Sequence, residues 1–588
     1  MKRKTTTFCK ACAQIVLALA ITFALVVIFQ KPFDTVHHDL RILVTGDVHG
    51  RLFDSTYTDD ALIPSLQNVS YYVDSIRTAE GEENVLLLDI GDCLQGDNAT
   101  YYFNYVDTLS AHLVSRMMSY MGYDAWIVGN HDIEAGHQVF DRVSRELEDY
   151  GIVTLAGNTP TGRGGTYFKE CELFRKAGLK VLLIGYTNAN IDSWVSKSVS
   201  SGMNFTSVAT IAQERVNALR KKYRPDVVIL AMHSGVGNGD GTQLENEAQD
   251  VFNSLEGVDV VIGAHDHSAK IEDKGRVCLV DAGARSGNLG SCLVSVRKKL
   301  GRIVSSDADA SLIRIDKKKV DERMVEEFHD DYNKVRTFTV RPIGKLGCAL
   351  SSKESYVGMS DYVNLVQTVQ MSVSGADISF CAPLSYNGYI PAGTVIFNDM
   401  FTIYPYENTL VKVSMTGKQI KDYLEYSYDM WVGGKDGKIL NIKHEPDMRT
   451  GSDRWSFVER SYNFDAAAGL VYEVYPLEQK GSRVVIKSLA DGSAFDEKET
   501  YSVALNSYRA NGGGKLLTKG AGISEDEEES IVLERFSELR TYIYDYFCAH
   551  DTVTSEDIND ASVLGSWRFE PENVRKRIVA DRDLVFGK

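Results

Sequence analysis

Residues 85–96 read VLLLDIGDCLQG. Val85, Leu86, Leu87 and Leu88 leave no alternation of polar and apolar faces, which suits a strand buried on both sides. The run breaks at Gly91 and delivers an acid, Asp92. Six other stretches share this texture: ILVTGD (42–47), AWIVGN (125–130), VLLIGY (181–186), VVILAMH (227–233), VDVVIGAHD (258–266) and VCLVDAG (277–283). Helix-like segments lie between them, such as 109–121 and 209–222. Strand alternating with helix predicts a layered α/β domain.

The strand ends carry the chemistry. The runs end in Asp47-Val48-His49, Gly91-Asp92, Gly129-Asn130-His131-Asp132, His233-Ser234-Gly235 and Gly263-Ala264-His265-Asp266-His267. In open α/β folds, sites gather at the carboxyl ends of strands. Five of the twelve His of the chain fall in these motifs, which scattered core histidines would not produce. One such motif alone is more often a turn with a satisfied histidine. Five in order predict a dinuclear site. Imidazole and carboxylate donors suit Zn, Mn, Fe, Ni or Co rather than Ca. Two divalent metal ions about 3.5–4 Å apart clamp a phosphoryl group and lower the pKa of a water, so no protein nucleophile is needed.

These blocks resemble the calcineurin-like metallophosphoesterase superfamily in order and spacing across residues 41–300. The resemblance implies a sandwich of β-sheets flanked by helices. It also implies that Asp47, His49 and His267 hold one metal, that Asn130, His233 and His265 hold the other, and that Asp92 bridges them. His131 resembles the family histidine that contacts the phosphate and stabilises or protonates the leaving oxygen. Its orienting acid is expected to be Glu134, three residues on, where the family usually carries Asp or Asn; Asp132 ranks second.

Beyond the connecting segment VDERMVEEFHDDYNKVR (320–336), the texture changes. APLSYNGYIPAG (382–393), DMFTIYPYENTLVKVSMTGKQIKDYLEYS (399–427), YNFD (462–465) and YSVALNSYRANGGG (501–514) are similar to the nucleotidase C-terminal domain, a second α/β domain. They most resemble the branch called 2′,3′-cyclic-nucleotide 2′-phosphodiesterase/3′-nucleotidase. Gly514 stands where the 5′-nucleotidase branch carries a ribose-binding Asp. By this resemblance Tyr462 and Tyr508 sandwich a nucleobase, Arg509 contacts phosphate or ribose, and Asn387 and Asn511 supply hydrogen bonds. The implied activity is hydrolysis of 2′,3′-cyclic nucleotides and 3′-nucleotides, with a 5′-nucleotidase or nucleotide-sugar hydrolase as the alternative and a non-catalytic nucleotide-binding protein as the rival. Members of this two-domain type swing the second domain, which places a hinge near 335–350.

The remaining features set limits. The chain has 588 residues, 44% hydrophobic and 25% charged, near the globular average. Its net charge of −17 argues against a nucleic-acid polymer as partner. Nine Cys show no zinc-type pair outside the leader; a Cys278–Cys292 bridge ranks below buried free thiols. Lys2, Arg3, Lys4 and Lys10 precede an apolar run at 11–29, read as an uncleaved signal-anchor ahead of a cleaved signal peptide. That predicts an exported, periplasmic or cell-surface protein, touching membrane only through this segment, and a monomer. The expected division is leader and neck 1–40, metallophosphoesterase domain 41–319, connecting helix and hinge 320–345, nucleotidase domain 346–548, and a docked or partly mobile tail 549–588.

Overall fold

A computed structural model describes residues 16–21, 35–195, 197–406, 408–446, 453–524 and 527–587. The leader lies almost wholly outside the described residues, as do Cys9 and Cys12. No helix among the described residues is long and apolar enough to cross a membrane.

The first domain is built from two six-stranded sheets. The strands in chain order are β1 (Thr35–Thr45), β2 (Val85–Asp89), β3 (Ala125–Ile127), β4 (Val153–Leu155), β5 (Cys171–Lys176), β6 (Leu179–Tyr186), β7 (Val227–Met232), β8 (Val260–Gly263), β9 (Lys270–Asp273), β10 (Cys278–Asp281), β11 (Asn288–Lys299) and β12 (Arg302–Arg314). One sheet runs β12-β11-β1-β2-β3-β4 and the other β5-β6-β7-β8-β10-β9. β1 through β4 pair in parallel, as do β6, β7, β8 and β10.

The unbroken apolar runs have a direct cause. Leu86 and Leu88 point into a core shared by both sheets, while Val85 and Leu87 face helices on the outer side. On β7, Ile229 and Ala231 face inward, and Val228 and Leu230 meet helix Val208–Tyr223. Four layers therefore bury both faces of each sheet. Cys278 and Cys292 face each other across this core as free thiols, joined by an S–H···S hydrogen bond of 3.5 Å and no disulfide.

The connecting segment is two helices, Glu322–Glu327 and His329–Thr339, broken at Phe328. Periodicity alone read them as one, because the break costs no apolar position. Phe328 and Val335 pack into the first domain's outer core, and Arg116 pairs with Asp331 at 2.8 Å. The chain crosses to the second domain at 339–342. There Tyr101 of the first domain packs with Phe338 of the connecting helix and with Phe397 and Phe401 of the second domain.

The second domain holds a five-stranded sheet in the order Ala466–Ala468, Ile378–Cys381, Thr500–Asn506, Thr409–Thr416, Val532–Glu538. Helix Gly417–Trp431 opens with a reciprocal cap: Thr416 Oγ1 accepts from Gln419 N, and Gln419 Oε1 accepts from Thr416 N. The terminal segment is no loose tail. Strand Gly565–Phe569 lies parallel to Leu470–Val474 in a three-stranded sheet, and helix Glu572–Phe586 puts Val574 and Ile578 into the core. Its short apolar spacing reads as weak in sequence, but the partner strand supplies the missing face. Phe569 is fully buried. Phe569→Ala is therefore expected to cost roughly 3–5 kcal/mol of second-domain stability in chemical denaturation; a change within about 0.5 kcal/mol would mark the segment as peripheral.

Candidate active site

Every metal-competent strand end converges on one edge. Asp47 follows β1, Asp92 follows β2, Asn130 follows β3, His233 follows β7 and His265 follows β8. The turns are tight enough to force left-handed backbone. Asp47, His49, Asp92, His265 and His267 have φ of 49°, 47°, 58°, 97° and 60°. Such conformations cost of order 1–3 kcal/mol each and concentrate at functional sites. Gly91 and Gly129 make the approach feasible. A Cβ on Gly91 would stand 2.5 Å from Gly129 N, and one on Gly129 would stand 2.2 Å from Asp92 Oδ1.

Two donor clusters result, Asp47-His49-His267 and Asp92-His233-His265, with the ligand atoms of each within 4.8 Å of one another. Each carboxylate is half used. Asp47 Oδ2 accepts from His265 N at 2.8 Å, and Asp92 Oδ1 accepts from His131 N at 2.9 Å. The other oxygens, Asp47 Oδ1 and Asp92 Oδ2, are buried without a hydrogen-bond partner, as is His233 Nε2. Asp47 Oδ1 stands 4.0, 3.8 and 3.9 Å from Nε2 of His49, His267 and His233, so it faces both clusters. His233 Nε2 lies 3.1 Å from Asp92 Oδ2. Asn130 Oδ1 meets His265 Nδ1 at 2.9 Å. Carbonyls fix two rings from behind: Gln95 O at His49 Nδ1 (3.1 Å) and Ile90 O at His233 Nδ1 (2.5 Å). That leaves Nε2 as the inward donor on both. Buried polar atoms left bare and aimed together fit divalent cations.

His131 Nδ1 meets Glu134 Oε2 at 2.7 Å. Asp132 does a different job. Its carboxylate accepts from the backbone N–H of Asp92, Cys93, Leu94 and Gly129, and so pins the loop that carries Asp92. Its carboxylate is thereby committed, so Asp132, the second-ranked orienting acid, is a loop anchor instead; its next-door spacing to His131 already made it the poorer orienter, but the anchoring role depends on backbone groups 38–40 residues away. Burial disfavours the His131 cation, but Glu134 and Asp92 outweigh it and hold the imidazole up to about 10.

The second domain brings Tyr406, Tyr462 and Tyr508 together, all half-buried. Tyr462 and Tyr508 are edge-to-face, with centroids 6.3 Å apart and planes at 84°, so they do not form the parallel sandwich expected from the motifs. Tyr406, which the sequence reading passed over although it lies in the quoted YPYENTL motif, stands 6.1 Å from Tyr462. Arg509 is corrected as well. It is buried, and its guanidinium is committed to Asp465, Asn463 Oδ1, Gly513 O and Tyr462 O. It braces the two tyrosine loops instead of meeting phosphate. Asn511 donates to Trp194 O at 3.2 Å across the domain boundary, and Asn387 stands exposed in the turn after Ser385. Trp194 and Arg285 are further site neighbours that sequence alone did not single out; Arg285 N donates to Asp47 O at 2.8 Å. A lone aromatic or cation in a loop carries almost no signal.

Comparison with known proteins agrees with this geometry. Residues 40–269 match the calcineurin-like phosphoesterase family, and residues 337–519 match the 5′-nucleotidase C-terminal domain family. The two matches lie in that order along the chain, a calcineurin-like phosphoesterase domain followed by a 5′-nucleotidase C-terminal domain. It is 24% identical to the trifunctional nucleotide phosphoesterase protein YfkN of Bacillus subtilis over 89% of this chain, and spans 39% of that longer protein. It is 24% identical to the 2′,3′-cyclic-nucleotide 2′-phosphodiesterase/3′-nucleotidase of Salmonella typhimurium over 84% of this chain and 85% of that enzyme. Among solved structures, a Staphylococcus aureus chain described as a 5′-nucleotidase, bound to α-ketoglutarate, aligns with a TM-score of 0.75 at 19% identity, over 91% of this chain and all of that one.

Without cations the site holds protons. Burial pushes Asp47 up to about 7. Burial opposes the His233 cation, yet Asp92 and Asp47 hold that imidazole up to about 10. Both groups must lose their protons to ligate, so cation binding releases protons. Affinity for a divalent cation is thus expected to fall as pH drops from about 8 to about 6, and titration calorimetry in buffers of different ionisation heat should register the released protons. Binding without proton release would contradict this electrostatic picture.

Proposed function

We propose that the protein is an exported, metal-dependent nucleotide phosphohydrolase acting on 2′,3′-cyclic nucleotides and 3′-nucleotides. The observation that carries the reading is the pair of donor clusters, each with a bare, buried carboxylate oxygen, in a chain whose second domain gathers Tyr406, Tyr462 and Tyr508. Asp47, His49 and His267 would hold one divalent cation, and Asn130, His233 and His265 the other, with Asp92 between them. Bound there, the cations supply Lewis acidity toward the phosphoryl group and a water of lowered pKa.

The protein's own residues do the rest. Glu134 holds His131 at Nδ1, which leaves Nε2 to donate to the leaving oxygen, and the Glu134 carboxylate favours the imidazolium form. A nucleobase would stack on the tyrosine cluster, with Tyr462 and Tyr508 turning out of their edge-to-face contact, for about 1–3 kcal/mol per stacked face. Gly514 offers no carboxylate beside Tyr508. Its φ is 71°, and a Cβ there would stand 2.5 Å from Asn463 Oδ1. This favours the cyclic and 3′ substrates over 5′-nucleotides. A swing of the second domain about the crossing at 339–342 would exchange substrate. Export rests on the leader, which lies almost wholly outside the described residues.

A panel of 2′,3′-cAMP, 3′-AMP and 5′-AMP, followed by released nucleoside and phosphate after reconstitution with single metals, tests the proposal. Turnover of the first two is expected; turnover of 5′-AMP alone would establish the 5′-nucleotidase alternative, and binding without turnover a nucleotide receptor.

Two variants examine the assigned acid. His131→Ala is expected to lower kcat by roughly 10²–10⁴. Glu134→Gln removes a charge that raises the His131 pKa, so the alkaline limb of the kcat–pH profile should move to lower pH. An unmoved limb would exclude Glu134 as the orienting acid.

A further inference from the structure

One contact between the domains has no part in the chemistry assigned above. Trp194 follows the short turn Ile191–Ser193, and its N–H donates to Ile191 O at 2.8 Å. Its indole lies nearly parallel to the imidazole of His265, with centroids 5.3 Å apart and planes at 24°. The edge of His265 is held by Asn130, and His233 meets it edge to face at 5.5 Å. Trp194 therefore supplies the flat wall that this ring otherwise lacks. Ile191 and Val195 on either side are buried in the same core as Trp126 and Ile133, which anchors the turn.

The backbone of Trp194 faces the other domain. Its carbonyl accepts from Asn511 Nδ2 at 3.2 Å. Asn511 is rigidly joined to Tyr508: its own N–H donates to Ser507 O at 3.0 Å and closes the helical turn that bears Tyr508. A displacement at Trp194 thus reaches both a metal ligand and a base-facing tyrosine. A second line of contact runs alongside. The carbonyl of Glu245 accepts from Asn188 Nδ2 and from Ser234 Oγ, next to His233, while its carboxylate feels the charge of Lys515.

We propose that Trp194 is a positioning residue. Its ring steadies His265, and its carbonyl, through Asn511, sets where the Tyr508 loop stands relative to the metal centre. The inference rests on the nucleotide-hydrolase reading for its substrate and deepens it. It also commits one of the two amide N–H groups of Asn511 to the register between domains.

Full-length protein and the variants Trp194→Phe, Trp194→Ala, Asn511→Ala and Trp194→Ala/Asn511→Ala test it. The first readout is the ratio of kcat/KM for 2′,3′-cAMP to that for p-nitrophenyl phosphate, which has no nucleoside to place. Trp194→Ala and Asn511→Ala are each expected to lower this ratio about tenfold or more. The double variant should fall no further than the worse single one, because loss of the indole loosens the turn that holds the Trp194 carbonyl, and loss of the amide removes that carbonyl's partner, so both changes weaken one contact. Trp194→Phe keeps a flat ring to hold the turn in place, and should hold the ratio within about twofold. A ratio that stays within about twofold in Asn511→Ala and Trp194→Ala, or additive loss of the ratio in the double variant, would reduce Trp194 to ordinary packing and overturn the proposal.

The second readout needs no turnover. In metal-free protein, Asn511→Ala should shift tryptophan emission in the unaltered background and leave it unmoved in a Trp194→Phe background. Equal shifts in both backgrounds would overturn the pairing. If the unaltered protein hydrolyses p-nitrophenyl phosphate but no nucleotide, the functional reading fails by itself, and emission alone decides the role of Trp194.

Discussion

The site depends on two carboxylates that the fold refuses to satisfy. Asp47 and Asp92 are buried, and each has one oxygen held by a backbone N–H while the other stays bare. Burying a carboxylate with one oxygen lacking a hydrogen-bond donor is costly. The protein persists with it because imidazoles and, on the proposed reading, cations stand opposite. Much of the surrounding structure serves that arrangement. The left-handed turns aim the side chains, Gly91 and Gly129 permit backbone contact behind Asp92, and Asp132 gathers four N–H groups to stop the Asp92 loop from relaxing.

Strain of this kind needs a stiff base. Two face-to-face sheets with helices on both outer sides provide it, since the strands that carry the ligands are apolar on both faces and cannot shift without opening a core. The ligand loops are short extensions of those strands. Asp47, Asn130 and His233 stand within three residues of a strand end. Geometry at the metal edge is thereby inherited from sheet register.

The second domain relates to the first differently. It meets it through an aromatic joint around Tyr101 and Phe338, through the Asn98–Asn398 amide pair at 2.9 Å, and through Trp194 and Asn511. These are separate small contacts, the kind of interface across which domains move. Arg509 and Asp465 stiffen the tyrosine loops from within, so the nucleotide-facing surface can travel as one piece.

The local pattern alone determined a great deal. Apolar runs ending in Asp, Asn and His specify strands, their order and the donors at their tips, because side-chain chemistry and burial period are written residue by residue. Tertiary structure decided what depends on neighbours distant in the chain. The sequence ranks Glu134 ahead of Asp132 beside His131, but only the fold fills Asp132 with backbone N–H groups and turns Glu134 to the imidazole. Arg509 reads as a ligand for phosphate until Asp465, 44 residues away, claims it. Tyr462 and Tyr508 can be named from their motifs, yet the angle between their rings belongs to the packing of two loops. The terminal strand gains its face only from Leu470–Val474, and Trp194 gains meaning only from His265 on one side and Asn511 on the other. A linear pattern records what each residue can do; which partner it meets is set by the closure of the chain in space.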